Sequence, residues 1–163
     1  MSKRTVLSGL AAALGASAVL LAGMPGSASA AEVGIQAEGR QFKNVQTGLC
    51  LDSDAKGNAY TKSCGNDNPY QRWSWDGNDY NGYSLKNNAT NRCLQVGNGD
   101  AVRTEPCFTV PRASQLWKWN ELDGGRLILK STANDRALDS NAKGHLYTSP
   151  YGTGNLYMQW WQW

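Results

Sequence analysis

The hydrophobic pattern divides the chain into two unlike parts. From Val6 to about Ala22 a largely apolar run contains no charged residue, whereas beyond residue 40 apolar residues come in short stretches that alternate with polar ones. Gly, Asn and Asp clusters separate these stretches, which therefore read as short strands and turns. No stretch after the leading run has the periodicity of an amphipathic helix. The alternation is sharpest in Gln71-Arg72-Trp73-Ser74-Trp75, Gln115-Leu116-Trp117-Lys118-Trp119 and Gln159-Trp160-Trp161-Gln162-Trp163, which share a Gln-x-Trp-x-Trp pattern. The glutamines stand 44 residues apart both times, and the three boxes hold all seven tryptophans. A constant period in this range signals an internally repeated fold. Alternating tryptophans put both rings on one face of a strand, so most of the rings are expected in the core.

The rest of each repeat aligns in the same register. Phe42 to Asp52, Leu85 to Gln95 and Leu129 to Asp139 agree in residue class column by column, as do Asn58 to Cys64, Ala101 to Cys107 and His145 to Tyr151. Thr61, Thr104 and Thr148 coincide. Gly48, Asn91 and Asp135 share one column, and all three are residue types that tolerate positive φ, so a tight turn is expected there in each repeat. The repeats are placed at about 41–76, 84–120 and 128–163, together forming one domain over 41–163.

The leading run changes the setting. Lys3 and Arg4, the apolar run and Ala28-Ser29-Ala30 have the form of a secretory signal peptide over 1–30, with cleavage expected after Ala30 and a short leader over 31–40. The run is short for a membrane-spanning helix, and Cys50 is the first cysteine, which argues against a lipid anchor. Cleavage takes the basic residues from 16 to 14 against 13 acids, so the formal charge falls from +3 to +1. Nothing in that balance attracts nucleic acid or a membrane surface. The expected product is a secreted, extracellular monomer.

In an oxidising compartment four cysteines read first as disulfides. With one His and no Cys-x-x-Cys pair there is little to build a zinc site with, and no metal or other cofactor is expected. Four cysteines allow three pairings. The pairing that respects the repeat joins Cys50 to Cys64 and Cys93 to Cys107. In the third repeat the same columns hold Ala137 and Tyr151, a small residue and a large one, so Tyr151 could fill the space of a missing bridge. Each bridge closes a loop of about 15 residues, worth roughly 3 kcal/mol in the chain-entropy model.

Three repeats with a Cys-Leu-Asp-like opening, a second Cys fourteen residues on and a closing Gln-x-Trp resemble the ricin B-type (R-type) lectin family, also known as ricin-like carbohydrate-binding modules. The resemblance runs from about Phe42 to Trp163. It implies an all-β fold, a β-trefoil with pseudo-threefold symmetry in which four strands per repeat form a six-stranded barrel and three hairpins. It also implies up to one shallow sugar pocket per repeat. Each pocket combines the acid two residues after the first Cys, an aromatic that stacks on the sugar and a polar residue before the Gln-x-Trp box. A carboxylate accepts from vicinal hydroxyls, and an aromatic ring covers the apolar C–H face of a pyranose.

Carried over by position, the acids are Asp52 and Asp139, with Gln95 in the second repeat. The family's usual aromatic column holds Lys62, Glu105 and Ser149, but Tyr60 and Tyr147 lie two residues earlier, on the same strand face. They either stack on sugar or belong to the core. Arg103 takes their column in the second repeat, so the acid and the tyrosine come and go together. Asn68 and Asn155 are the nearest polar residues before the first and third boxes. Gln71 and Gln159 complete the two candidate sites, although such glutamines, Gln115 included, can equally fix their hairpins from inside. Asp54 and Asn141 read as turn residues.

The expected function is carbohydrate binding at up to two sites, in repeats one and three, with glycans containing galactose or xylose as candidate partners. Catalysis is not expected. His145 falls at a loop position, and Asp52 and Asp139 belong to different repeats, too far apart for a glycosidase pair. The alternative is a β-trefoil acting through its loops as a protein-docking scaffold or protease inhibitor, since fold does not fix function.

Overall fold

The computed structural model describes residues 39–163; the expected signal peptide, and the leader as far as residue 38, lie outside them. Each repeat supplies four strands. The first gives β1 (Phe42–Asn44), β2 (Cys50–Ser53), β3 (Ala59–Lys62) and β4 (Trp73–Asn78). The second gives β5 (Gly82–Asn87), β6 (Arg92–Val96), β7 (Val102–Pro106) and β8 (Trp117–Leu122). The third gives β9 (Arg126–Ser131), β10 (Ala137–Ser140), β11 (Leu146–Ser149) and β12 (Gln159–Gln162). The turn column behaves as its residue types require: φ is +68° at Gly48, +56° at Asn91 and +58° at Asp135. Their amides donate to Asn44 O, Asn87 O and Ser131 O, so one tight turn opens every repeat. The Asn44 and Asn87 side chains brace it by accepting from the amides two and three residues on.

All strand pairs are antiparallel. Strand β1 pairs with β12, β12 with β9, β9 with β8, β8 with β5 and β5 with β4. Arg40 and Trp73 then exchange backbone hydrogen bonds of 2.9 and 3.0 Å, closing this six-stranded barrel between its first and fourth strands. Closure removes the free edges that an open sheet would expose. The hairpins β2–β3, β6–β7 and β10–β11 meet in a triangle: Thr61 N donates to Gly144 O, Thr104 N to Gly57 O and Thr148 N to Asp100 O. This is the β-trefoil.

The core shows the threefold pattern directly. Leu51, Leu94 and Leu138 are fully buried beside Trp73, Trp117 and Trp160, and each indole N–H donates to the carbonyl of the leucine in its own repeat. Rings of this size each remove about 200 Å² from water, and truncating one costs about 3–5 kcal/mol. The ring in the third repeat is Trp160, not Trp161 as the Gln-x-Trp spacing suggests. A short 3-10 turn precedes β4, β8 and β12, over Pro69–Gln71, Ala113–Gln115 and Leu156–Met158. Asn68 caps the first by accepting from Tyr70 N, and Asn155 caps the third in the same way through Tyr157 N. The cap fixes the count of residues to the strand, so Met158, Gln159 and Trp160 take the places of Gln71, Arg72 and Trp73.

Consequently Trp161 and Trp163 are not core residues; they are 39% and 48% exposed. Both expected disulfides are present, Cys50–Cys64 and Cys93–Cys107, each with Cα atoms 5.0 Å apart. Tyr151 does not fill the place of a third. It is exposed, its hydroxyl accepts from Asn120 and Lys130 lies over its ring, while Met158, Ile128 and Leu122 pack around Ala137 instead.

Candidate functional site

Asp52 and Tyr60 sit directly opposite each other on β2 and β3, and Asp139 and Tyr147 on β10 and β11. Direct cross-strand partners share a face, with Cβ atoms roughly 5 Å apart, so each pair is one unit built by a hairpin. Asp52 is only 2% exposed and Asp139 3%. Each forms the floor of a shallow place whose walls come from the 3-10 turn before the fourth strand. In repeat one, Asn68 Nδ2 donates to Asp52 Oδ2 at 3.2 Å while Asn68 Oδ1 caps the turn that carries Tyr70. In repeat three, Asn155 does the same for Asp139 at 3.3 Å and for the turn that carries Tyr157. A pocket of about 450 Å³ opens there, lined by Asp139, Tyr147, Asn155 and Tyr157 with Asn141 and His145 at the rim.

Tyr70 and Tyr157, both 37% exposed, are the residues that sequence reasoning missed. They are the exposed aromatics absent from the usual column. The signal was present as Asn68-Pro69-Tyr70 and Asn155-Leu156-Tyr157, but a frame tied to the glutamines compares Tyr70 with Met158. Burial, and then the neighbouring carboxylate, raise the Tyr60 and Tyr147 hydroxyls above the ordinary tyrosine range. Both stay neutral at physiological pH, able to donate as well as accept.

The two places differ in how the acid is held. Gln71 Nε2 donates to Asp52 Oδ2 at 2.9 Å and to Ser63 O, and its Oε1 accepts from Gly65 N, so it ties the acid to the hairpin from inside. In the third repeat Met158 occupies that position. Gln159, expected there, accepts from Arg126 Nη1 at 2.8 Å and donates to Thr153 O, and makes no hydrogen bond to Asp139. Ser149 Oγ donates to Asp139 Oδ2 in its place, and Asp139 Oδ1 is buried without a partner. Asp54 and Asn141 are turn residues, accepting from the amides of their β2–β3 and β10–β11 turns. Hydrogen bonding, first from the Asn58 side chain, holds the Asp54 carboxyl below its usual range.

Repeat two keeps the inner glutamine, with Gln115 in the place of Gln71, but departs at the acid, cross-strand tyrosine, capping asparagine and turn tyrosine columns. Gln95 accepts from Gln115 Nε2 at 2.9 Å, and Arg103 pairs with Glu105 at 2.8 Å. Arg112 replaces the capping asparagine, makes no cap hydrogen bond and lies over the Phe108 ring 4.4 Å from its centroid. Ser114 stands where repeats one and three have tyrosine. Among the described residues no group of three His, Cys, Asp or Glu could hold a metal ion.

No curated protein matches the chain. Among solved structures it is similar to a designed threefold-symmetric protein, ThreeFoil, with TM-score 0.68 and 22% identity over 76% of this chain and 96% of that one. It is also similar to SeviL, solved bound to asialo-GM1 saccharide, with TM-score 0.62 and 20% identity over 77% of this chain and 96% of that one. At these identities the likeness concerns the fold. The pattern of the ricin-type β-trefoil lectin domain matches residues 38–160, most of the chain, and the protein belongs to that family.

Proposed function

We propose that the protein is a secreted, monomeric carbohydrate-binding protein that holds glycans without catalysis at two shallow sites, in repeats one and three. The observation that carries this reading is the joint occurrence of an aspartate, a cross-strand tyrosine and an Asn-x-Tyr turn in those repeats, and the replacement of all four residues in repeat two. Asp52 and Asp139 accept from vicinal sugar hydroxyls, Asn68 and Asn155 add donors, and the tyrosines cover the apolar face of the ring. Gln71 acts through Asp52 by orienting it. A trefoil neighbour solved with a saccharide bound supports glycans as the ligand class, and galactose- or xylose-containing glycans are the candidates. Exposed Tyr70 and Tyr157 beside the acids favour a sugar site over a loop-borne docking scaffold or protease inhibitor. Secretion rests on the leader alone.

Retention on a panel of insoluble polysaccharides and immobilised galactosides tests the reading. Asp52→Ala and Asp139→Ala are each expected to weaken retention and the double variant to abolish it, because two linked weak sites act through avidity. A double variant retained as well as its parent removes the proposal.

A further inference from the structure

Pseudo-threefold symmetry makes the last strand anomalous. On the outer face of the barrel, the positions of Trp161 and Trp163 correspond to Ser74 and Asp76 in repeat one and to Lys118 and Asn120 in repeat two. The fold is thus built twice with polar residues there, so the trefoil itself does not require two large, partly exposed rings. Trp161 lies directly between Lys43 on β1 and Arg126 on β9, its partners in the two flanking strands. Trp163 extends the same face two residues on, about 7 Å along the strand, held by reciprocal backbone hydrogen bonds with Gln41. The Lys43 ammonium stands 5.9 Å from the Trp163 ring centroid. Among the described residues neither Lys43 nor Arg126 pairs with a carboxylate.

We propose that Trp161, Trp163, Lys43 and Arg126 form a second binding face, separate from the aspartate sites, that docks an acidic polysaccharide. Two rings at strand spacing suit consecutive pyranose faces of an extended chain, and the flanking cations suit carboxylates borne on those rings. Each tryptophan keeps more than half of its surface packed on the barrel, so it presents a flat platform and not a projecting wedge for a bilayer. The charge complementarity selects uronic-acid chains over neutral ones. This face does not depend on the aspartate sites, and the two readings can fail separately.

Affinity electrophoresis of the protein through gels containing polygalacturonate or neutral galactan decides the matter, with phosphatidylserine vesicle flotation in parallel. The expected result is retardation by polygalacturonate that weakens with salt. It falls about tenfold or more in Trp161→Ser/Trp163→Asn, which restores the polar character of the other repeats, and similarly in Lys43→Glu. The Asp52→Ala/Asp139→Ala variant is expected to stay within about twofold of the parent on polygalacturonate. Undiminished retardation of the tryptophan variant overturns the proposal, as does retardation of the Asp52→Ala/Asp139→Ala variant by galactan as strong as by polygalacturonate, or flotation with vesicles without polysaccharide binding. Loss with the aspartate pair alone overturns it while leaving the sugar sites standing.

Discussion

Gln71 and Met158 occupy one position in two repeats and do opposite things there. Gln71 is fully buried and joins Asp52, Ser63 O, Gly65 N and Gln41 in one network. Met158 fills an apolar niche beside Ile128 and Ala137. Gln71→Met strands buried donors and acceptors and is expected to cost about 2 kcal/mol or more, whereas Met158→Leu keeps volume and character and costs under about 1.5 kcal/mol. Denaturant unfolding midpoints compare the two directly, and equal losses would deny Gln71 its structural role. The same pair of residues marks the limit of what the sequence discloses. The acid and tyrosine columns were legible because both recur at one separation, 87 residues from Asp52 to Asp139 and from Tyr60 to Tyr147. The capping asparagines also lie 87 apart, but the box glutamines lie 88 apart, and three tryptophans in the last box allowed the wrong frame to look regular. Only the length of the capped turn distinguishes them, and that hid Tyr157.

Strands and turns were legible at the scale of elements, since short β-branched and aromatic runs broken by Gly, Asn and Asp leave few alternatives. The way the hairpins meet was not. Thr61, Thr104 and Thr148 share a column, yet their hydroxyls have different fates: Thr61 bonds Ser140, Thr148 accepts from Asn134, and Thr104 Oγ1 has no partner. What they share is a backbone amide that reaches the turn of the neighbouring hairpin, a contact indifferent to side chains. It demands close approach, and Gly144 shows the demand most clearly, with φ at +81° and the carbonyl of Thr61 in the space a Cβ would take. Gly144→Ala is expected to cost about 2 kcal/mol or more. At Gly99, also at positive φ but with nothing within 4 Å of an added Cβ, the change to Ala brings conformational strain alone, about 1 kcal/mol. Thermal melts of the two variants measure the difference, and identical shifts would mean that the triangle of hairpins contributes nothing beyond local strain.

The whole molecule carries its symmetry in the framework and breaks it at the surface. Core leucines, indoles and turns recur three times, aspartate sites twice, and the outward tryptophan pair once. The framework is therefore indifferent to where the chain is cut. Gln41 and Trp163 already hydrogen-bond to each other, so the first strand and the last residue are in contact. Three joints between neighbouring strands look alike: β4 with β5, β8 with β9, and β12 with β1. Only the last is not bridged by the chain. Circular permutation follows as a consequence: joining Trp163 to Arg40 through a short Gly-Ser linker and opening the chain between Gly124 and Gly125, an exposed turn, leaves every strand pair in place. Such a permutant of residues 40–163 is expected to keep the near-ultraviolet circular dichroism of the buried indoles and to form both disulfides. A permutant that stays unfolded would show that the ring has a seam after all, set by the order in which its repeats assemble.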